Sequence, residues 1–275
     1  MSSTEITPEN GFIPPPPTPT APERQRERSV SALRSAPGTY TLLAINIAVF
    51  LWMVAHGVDA RMPSERALIH YGANDTWLVL HGQWYRLLTA MFVHVGLVHL
   101  AGNMWCLWNL GILGEPLLGP LGMIAVYLIT GAAGNLLSMA TNVVEFHWTR
   151  DPGFLYTPGA GASGAVFGIA GILIVLLSNR RLPFPWLELK RLRSSVVKFS
   201  LINLAIGLST MFVNFGIRID NSAHIGGFLS GLAMGAPLVP RMTAGRERYL
   251  KRQKATFAAA CLMLALFGYW IANLL

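Results

Sequence analysis

The chain has 275 residues, of which 53% are hydrophobic and only 12% are charged. This composition is too apolar for an ordinary soluble domain, and it predicts a protein that crosses a membrane several times. The formal net charge of +8 does not indicate nucleic-acid binding, because the basic residues concentrate in a few segments. The two cysteines, Cys106 and Cys261, are far apart in sequence and do not indicate a disulfide framework.

The first 38 residues differ from the rest of the chain. They combine the proline-rich run IPPPPTPT with mixed charge, and such a segment cannot form a packed core. We therefore expect residues 1–38 to be a disordered tail. No apolar segment precedes residue 39, so a secretory signal peptide is not expected and the first apolar segment should remain in the mature protein.

Seven apolar segments follow, each with about the 20 residues that cross a bilayer core. They cover residues 39–57, 97–113, 117–141, 160–178, 197–215, 222–240 and 255–275. Of the 21 Lys and Arg residues, four lie in the tail, six in residues 179–198 and six in residues 241–254. This distribution favours a cytoplasmic amino terminus and, with seven spans, an external carboxyl terminus. The sequence therefore predicts an all-α polytopic membrane protein.

Polar side chains near the starts of the second, fourth and sixth segments are candidates for function, because polar groups are costly in a bilayer. They are His99 and Asn103, Ser163, and His224. The predicted topology makes these three segments run in one direction, so Asn103, Ser163 and His224 should lie at nearly one depth. Each has a structural alternative on its own, such as a hydrogen bond between helices. Their coincidence favours a catalytic site.

Glycines spaced four residues apart predict close contact between the fourth and sixth segments. The two pairs are Gly164 with Gly168 and Gly227 with Gly231. If these faces meet, Ser163 and His224 become neighbours. A serine hydroxyl is a weak nucleophile without an adjacent base, and imidazole is a suitable base because it titrates near neutral pH.

Three short patterns, in this order on alternate segments, resemble the rhomboid intramembrane serine proteases. They are HLAGN at 99–103, GASG at 161–164 and HIGGFLSG at 224–231. The resemblance covers about residues 40–240 and includes GQWYRLLT at 82–89, which contains Arg86, and Glu115. Two positions depart from the pattern: Tyr85 stands where many members have Trp, and Phe167 stands where some have Tyr.

The resemblance implies a six-span catalytic core at 39–240. This chain would add a basic cytoplasmic loop at 241–254 and an accessory seventh transmembrane helix at 255–275. It also implies a catalytic pair of Ser163 and His224, with Asn103, His99 and the backbone N–H of Ser163 stabilising the oxyanion. The structural residues near the site would be Arg86, Gly161, Gly164, Phe167, Gly168, Gly227 and Gly231.

The implied reaction needs neither a cofactor nor a metal ion. The expected substrates are transmembrane segments of other proteins, cleaved near the outer face of the bilayer, with membrane lipid as the surrounding partner. The expected location is the bacterial inner membrane. Asp220 lies one helical turn before His224, and two roles remain open for it: a structural or loop role, or orientation of His224.

Water has to reach such a site from outside the membrane. Polar residues near the expected outer mouth could line its path, although ordinary interfacial solvation explains each of them singly: His94, Thr157, Asn214, Asn221 and Ser222. The segment 215–221 is a candidate lid.

Other functions are disfavoured by what the sequence lacks. It contains neither HExxH, which a zinc protease would show, nor GxGD of the aspartyl type. A transporter or channel is disfavoured because the segments hold no carboxylate pair. The main alternative is a non-catalytic rhomboid-like protein that binds and escorts membrane helices, but such proteins lack the nucleophile or the base.

Overall fold

The computed structural model describes residues 35–180, 182, 184–209, 219–239 and 245–274. Within these ranges the chain is helical, and the only strand-like pairing is one bridge between Asn74 and Gly159. The longer helices are α1 (Pro37–Ala55), α5 (Leu97–Leu118), α6 (Pro120–Thr149), α7 (Ser163–Leu176), α8 (Trp186–Ser209), α9 (Asn221–Leu238) and α10 (Gly245–Ala272). Between α1 and α5 lie three short helices, α2 (Glu65–His70), α3 (Thr76–Leu80) and α4 (Arg86–Thr89), and a 3₁₀ turn (Pro152–Tyr156) lies between α6 and α7.

The prediction of an all-α polytopic membrane fold is confirmed. Among the described helices, α1, α6, α8 and α10 are long and apolar enough to cross a membrane, and α7 is a shorter apolar helix. Each of the seven apolar segments overlaps one of the longer helices. The number of seven spans stays a prediction.

Several helices extend beyond the apolar segments that predicted them. The loop expected at 241–254 is wrong from Gly245 onwards, because α10 begins there. Its Arg, Lys and Glu residues favour helix, and Glu247 pairs with Lys251 one turn later at 2.8 Å. Likewise α8 begins at Trp186 rather than at 197, and α6 continues to Thr149. Hydropathy marks the apolar part of a helix and not its ends. Of the expected tail, residues 1–34 lie outside the described residues.

Helix α7 is the centre of the bundle. Every residue from Gly164 to Leu173 is buried, as expected for a helix that is apolar on all sides. Its main neighbours are α6 and α9. A Cβ atom on Gly227 would overlap the carbonyl oxygen of Gly164, and one on Gly231 would overlap that of Gly168. Helices α7 and α9 therefore meet backbone to backbone, as the spacing of their glycines predicts.

The Glu115 carboxylate, in the last turn of α5, caps the first turn of α1. It is 2% exposed. It accepts hydrogen bonds from the N–H of Gly38 at 2.8 Å, and from the N–H and hydroxyl of Thr39, each at 2.7 Å. The first N–H groups of a helix have no partner within it and form the positive end of its dipole, so a buried carboxylate stabilises this end.

We expect Glu115→Gln to lower the stability of the folded protein by about 3 kcal/mol, the cost of breaking a buried charged interaction. A glutamine side chain accepts with only one oxygen and turns an NH₂ group toward the remaining donors. Thermal unfolding in detergent measures the effect. Glu188→Gln, at an exposed position of α8, is the matched control. Equal melting temperatures for the two variants would contradict this role of Glu115.

Helix α10 caps two other helices at the end of the bundle away from Ser163. Three of its side chains donate to main-chain carbonyls: Tyr249 to Leu117 at 3.0 Å, Gln253 to Leu118 at 2.9 Å, and Arg252 to Val239 at 2.6 Å. The first two carbonyls end α5 and the third follows α9. The last carbonyls of a helix have no hydrogen-bond partner within it, so α10 supplies donors to carbonyls that the other helices leave without a partner.

Candidate active site

Ser163 is the first residue of α7 and is half-buried. Its N–H therefore has no partner within the helix and lies at the positive end of the helix dipole. The preceding loop is held in place on two sides. Gly159 pairs with Asn74 through two main-chain hydrogen bonds, and the N–H of Gly161 donates to the carbonyl of Ala90 at 2.9 Å. Gly161 has φ +130°, a conformation that favours glycine.

His224 is the fourth residue of α9 and is 5% exposed. Its imidazole stacks on the ring of Phe167, with ring centroids 4.3 Å apart and an interplanar angle of 12°. Phe167 lies one helical turn after Ser163, on the same face of α7. A Cβ atom on Gly164 would lie 3.3 Å from the carbonyl oxygen of Ala223. The helix contact therefore puts Ser163 and His224 at neighbouring positions.

The Nδ1 atom of His224 is buried without a hydrogen-bond partner. In the described part of the chain, no hydrogen bond joins His224 to the Ser163 hydroxyl. Hydrogen bonds between catalytic groups are often long without substrate and tighten in the complex, so this geometry is compatible with a nucleophile and its base.

Helix α5 brings His99 and Asn103 to the same place. A Cβ atom on Gly161 would lie 2.6 Å from Cε1 of His99, so this ring lies against the loop before Ser163. Nδ1 of His99 accepts the N–H of Val95 at 3.3 Å. In the neutral ring the proton is then on Nε2, which can donate. Asn103 uses one amide N–H for the carbonyl of His99, at 3.0 Å, and retains a second.

His94 does not line a water path, because it is fully buried. Its Nε2 accepts the N–H of Ala162 at 3.4 Å, and its Nδ1 bonds the carbonyl of Phe92 at 3.3 Å. Its ring also lies 5.4 Å from that of His99. The expectation of an interfacial histidine was wrong, since His94 fixes the residue immediately before Ser163. The sequence does not predict this role, because the group that His94 binds is the main-chain N–H of Ala162, and no sequence pattern marks it.

The other residues expected near a water path are placed in several ways. Thr157 is exposed and donates to the carbonyl of Gly153, while Asn221 and Ser222 are half-buried in the first turn of α9. Asn214 and most of the segment 215–221 lie outside the described residues. In the ranges that the structure describes, no group of three or more His, Cys, Asp or Glu residues could hold a metal ion.

Arg86 anchors the segment between α1 and α5. Its guanidinium is buried and donates to the carbonyls of Ile69 and Ala73, at 2.7 and 3.0 Å, and to Gln83 Oε1 at 2.7 Å. Tyr85, where the sequence departs from the pattern, is 56% exposed. The departure therefore leaves the anchoring by Arg86 intact.

Asp220 caps α9 by accepting the N–H of Ala223 at 3.0 Å. The Ser138 hydroxyl of α6 donates to its other oxygen. Because Nδ1 of His224 has no partner, Asp220 does not form the third member of a triad.

Comparison with known proteins decides the family. The Rhomboid domain family model matches residues 81–241, more than half of the chain. The chain belongs to the rhomboid family. The rhomboid protease GluP of Bacillus subtilis is 30% identical over 230 residues, which are 83% of this chain and 40% of that protein. The rhomboid protease AarA of Providencia stuartii is 34% identical over 216 residues, 74% of this chain and 73% of the relative. Rhomboid-like protease 2 of Toxoplasma gondii is 29% identical over 195 residues, 70% of this chain and 62% of the relative.

The first two of these relatives are named as rhomboid proteases, and proteases are hydrolases. The matched region begins in the segment of Arg86 and extends through α9, so it contains every residue of the candidate site. The chain spans less than half the length of GluP and about three quarters of AarA.

Proposed function

We propose that this protein is an intramembrane serine endopeptidase that cleaves transmembrane segments of other membrane proteins near the outer face of the bilayer. The observation that carries the proposal is the meeting of three helices around residues 161–167. His99 of α5 lies against Gly161, and His224 of α9 stacks on Phe167. Ser163, at the start of α7, lies between these two contacts in sequence.

In the proposed reaction, the Ser163 hydroxyl attacks the carbonyl carbon of the scissile peptide bond. His224 takes the hydroxyl proton and returns it to the departing amine, leaving an acyl-enzyme. Water then attacks the ester while His224 again acts as base, which frees the serine. The stack on Phe167 keeps the imidazole plane fixed during both proton transfers.

The negative charge that develops on the carbonyl oxygen needs donors. The three available groups come from two helices: Nε2–H of His99, the second amide N–H of Asn103, and the backbone N–H of Ser163. The dipole of α7 adds to them. Loss of one such donor typically costs about 3 to 4 kcal/mol of transition-state stabilisation.

The proposed substrate is a membrane-spanning helix that unwinds locally. Hydrogen bonding within a helix protects its peptide bonds, so segments with Gly, Pro or other poor helix formers near the outer boundary should be preferred. A small residue such as Ala before the scissile bond is proposed by analogy with the family. The distribution of basic residues supports a cytoplasmic amino terminus and, with seven spans, an external carboxyl terminus. By the same analogy, the membrane is the bacterial inner membrane.

A fluorophosphonate probe, which reacts with activated serines, tests the proposal on the full chain in membranes. We expect labelling at Ser163 and its loss in Ser163→Ala. Ser230→Ala is the matched control, because Ser230 lies on α9 and donates only to its own helix, at the carbonyl of Gly227. Comparison of released protein fragments between wild type and Ser163→Ala would then identify substrates. A folded wild type that shows neither labelling nor fragment release would support the non-catalytic alternative instead.

A further inference from the structure

We infer that Asp220 and Ser138 are positioning residues for His224. Their hydrogen bond fastens the first turn of α9 to α6 and thereby holds the imidazole against Phe167. This inference rests on the proposed function, in which His224 is the base.

Both oxygens of the Asp220 carboxylate have a partner. Oδ1 accepts the N–H of Ala223 at 3.0 Å and so caps α9, while Oδ2 accepts the hydroxyl of Ser138. Ser138 is only 5% exposed and lies within α6, so its hydroxyl needs a partner inside the protein. The pair therefore joins the start of the helix that bears His224 to the middle of a neighbouring helix.

The first turn of α9 lies tightly between two helices. A Cβ atom on Gly134 of α6 would be 2.6 Å from the carbonyl oxygen of Ala223, and one on Gly164 of α7 would be 3.3 Å from the same atom. Ser138 follows Gly134 by one turn on the same face of α6. The hydrogen bond to Asp220 thus lies beside a close approach of α6 and α9, where a small displacement of either helix would move His224.

The Asp220 carboxylate also approaches the loop that leads to Ser163. A Cβ atom on Gly159 would be 3.5 Å from Oδ2 of Asp220. The carboxylate therefore lies where α6, α9 and the loop before the nucleophile meet. Loss of its contacts would change the position of the base relative to the nucleophile.

Asp220 acts through the backbone of α9 and not on the imidazole itself. His224 Nδ1 has no hydrogen-bond partner, and both Asp220 oxygens are used elsewhere. If Asp220 acts by positioning α9, Asp220→Asn should retain activity. If Asp220 acts through its charge on His224, Asp220→Asn should lose activity.

Three variants separate these roles when the full chain is assayed for cleavage and for fluorophosphonate labelling. Asp220→Asn retains an oxygen for the cap and an NH₂ group that can donate to the Ser138 hydroxyl. We expect its kcat and labelling rate to stay within about threefold of wild type, with an unchanged pH profile. Asp220→Ala and Ser138→Ala lose the hydrogen bond between α6 and α9. Displacing a catalytic base by about 1 Å lowers the reaction rate on the order of 10²-fold. We expect both to lower kcat and the labelling rate by at least about tenfold, with KM unchanged.

A second readout needs no activity. Diethyl pyrocarbonate modifies exposed imidazoles, and mass spectrometry gives its rate at His224. We expect slow modification in wild type and Asp220→Asn, and modification at least about fivefold faster in Asp220→Ala and Ser138→Ala, because the ring leaves its stack on Phe167. If the wild-type protein is not labelled by fluorophosphonate, the proposed function is contradicted. The modification rates would still test whether Asp220 and Ser138 hold His224 in position.

Asp75→Ala is the matched control. Asp75 is also buried and caps a helix, accepting the N–H of Leu78 at 2.9 Å, but that helix is α3 and carries no candidate catalytic residue. We expect it to lower thermal stability and to leave kcat within about twofold. Three results would overturn the inference. The first is a loss of activity in Asp220→Asn as large as in Asp220→Ala, and the second is a shift of the pH profile of Asp220→Asn. The third is an unchanged rate of His224 modification in Ser138→Ala.

Discussion

Replacing His224 with alanine is expected to lower the rate of peptide cleavage by at least about 10³-fold in a protein that stays folded. General acid–base catalysis contributes about 10²–10⁴-fold, and the serine also depends on its base for activation. The two other imidazoles near the site are not available as bases. His99 accepts the N–H of Val95, so its neutral ring carries the proton on Nε2, and His94 accepts the N–H of Ala162.

The measurement is cleavage of a transmembrane substrate by the purified protein, together with the rate of fluorophosphonate labelling. His56→Ala is the matched control, because His56 is an exposed histidine at the end of α1 that bonds only its own helix. Its activity should stay within about twofold of wild type. Residual cleavage by His224→Ala at a tenth of the wild-type rate or more would exclude His224 as the base.

The second large effect is expected for Gly227→Ala. A Cβ atom at this position would overlap the carbonyl oxygen of Gly164, and a main-chain atom within a packed helix cannot rotate away as a flexible side chain does. Helices α7 and α9 would have to separate, which moves His224 away from Ser163. We expect cleavage to fall by at least about 10²-fold, because a shift of about 1 Å can cost that much. Thermal stability should fall as well, since overpacking typically costs about 1–3 kcal/mol.

Gly102→Ala is the control for this substitution. Gly102 also lies within a helix, α5, next to Asn103, but a Cβ atom there would meet nothing within 4 Å. Alanine favours helix over glycine by about 1 kcal/mol, so this variant should be equally or slightly more stable and should retain activity. Loss of activity in both glycine variants to the same extent would show that helix contact does not explain the effect at Gly227.

The apolar helices, the contact between α7 and α9, and the four polar residues that are candidates for the site could be predicted from the sequence, because each has a local signature. Membrane segments are continuous apolar runs, and the spacing of Gly164 with Gly168 and of Gly227 with Gly231 marks faces that can approach closely. Helix ends were predicted less well. Residues 245–254 are charged, yet they form the first turns of α10, because helix formation requires suitable propensity and not hydrophobicity.

The supporting contacts could not be predicted, because their partners are far apart in sequence. His94 bonds Ala162 across 68 positions, Asp220 bonds Ser138 across 82, and Glu115 caps α1 across 77. One partner in the first of these pairs is a main-chain N–H, which every residue except proline has. No local pattern distinguishes the N–H that will be used, and only the packed helices reveal it.

The position of α10 has a consequence for how the protein is made. Its Tyr249 and Gln253 hold the last carbonyls of α5, and its Arg252 holds the carbonyl after α9. Because α10 follows α5 and α9 in the chain, the ribosome completes both of these helices before these partners exist. During synthesis, the helices that carry His99 and His224 are therefore present with these carbonyls still unbonded by side chains. The hydrogen bonds to the ends of α5 and α9 form only when α10 docks, so the two helices that carry His99 and His224 gain these partners in one step.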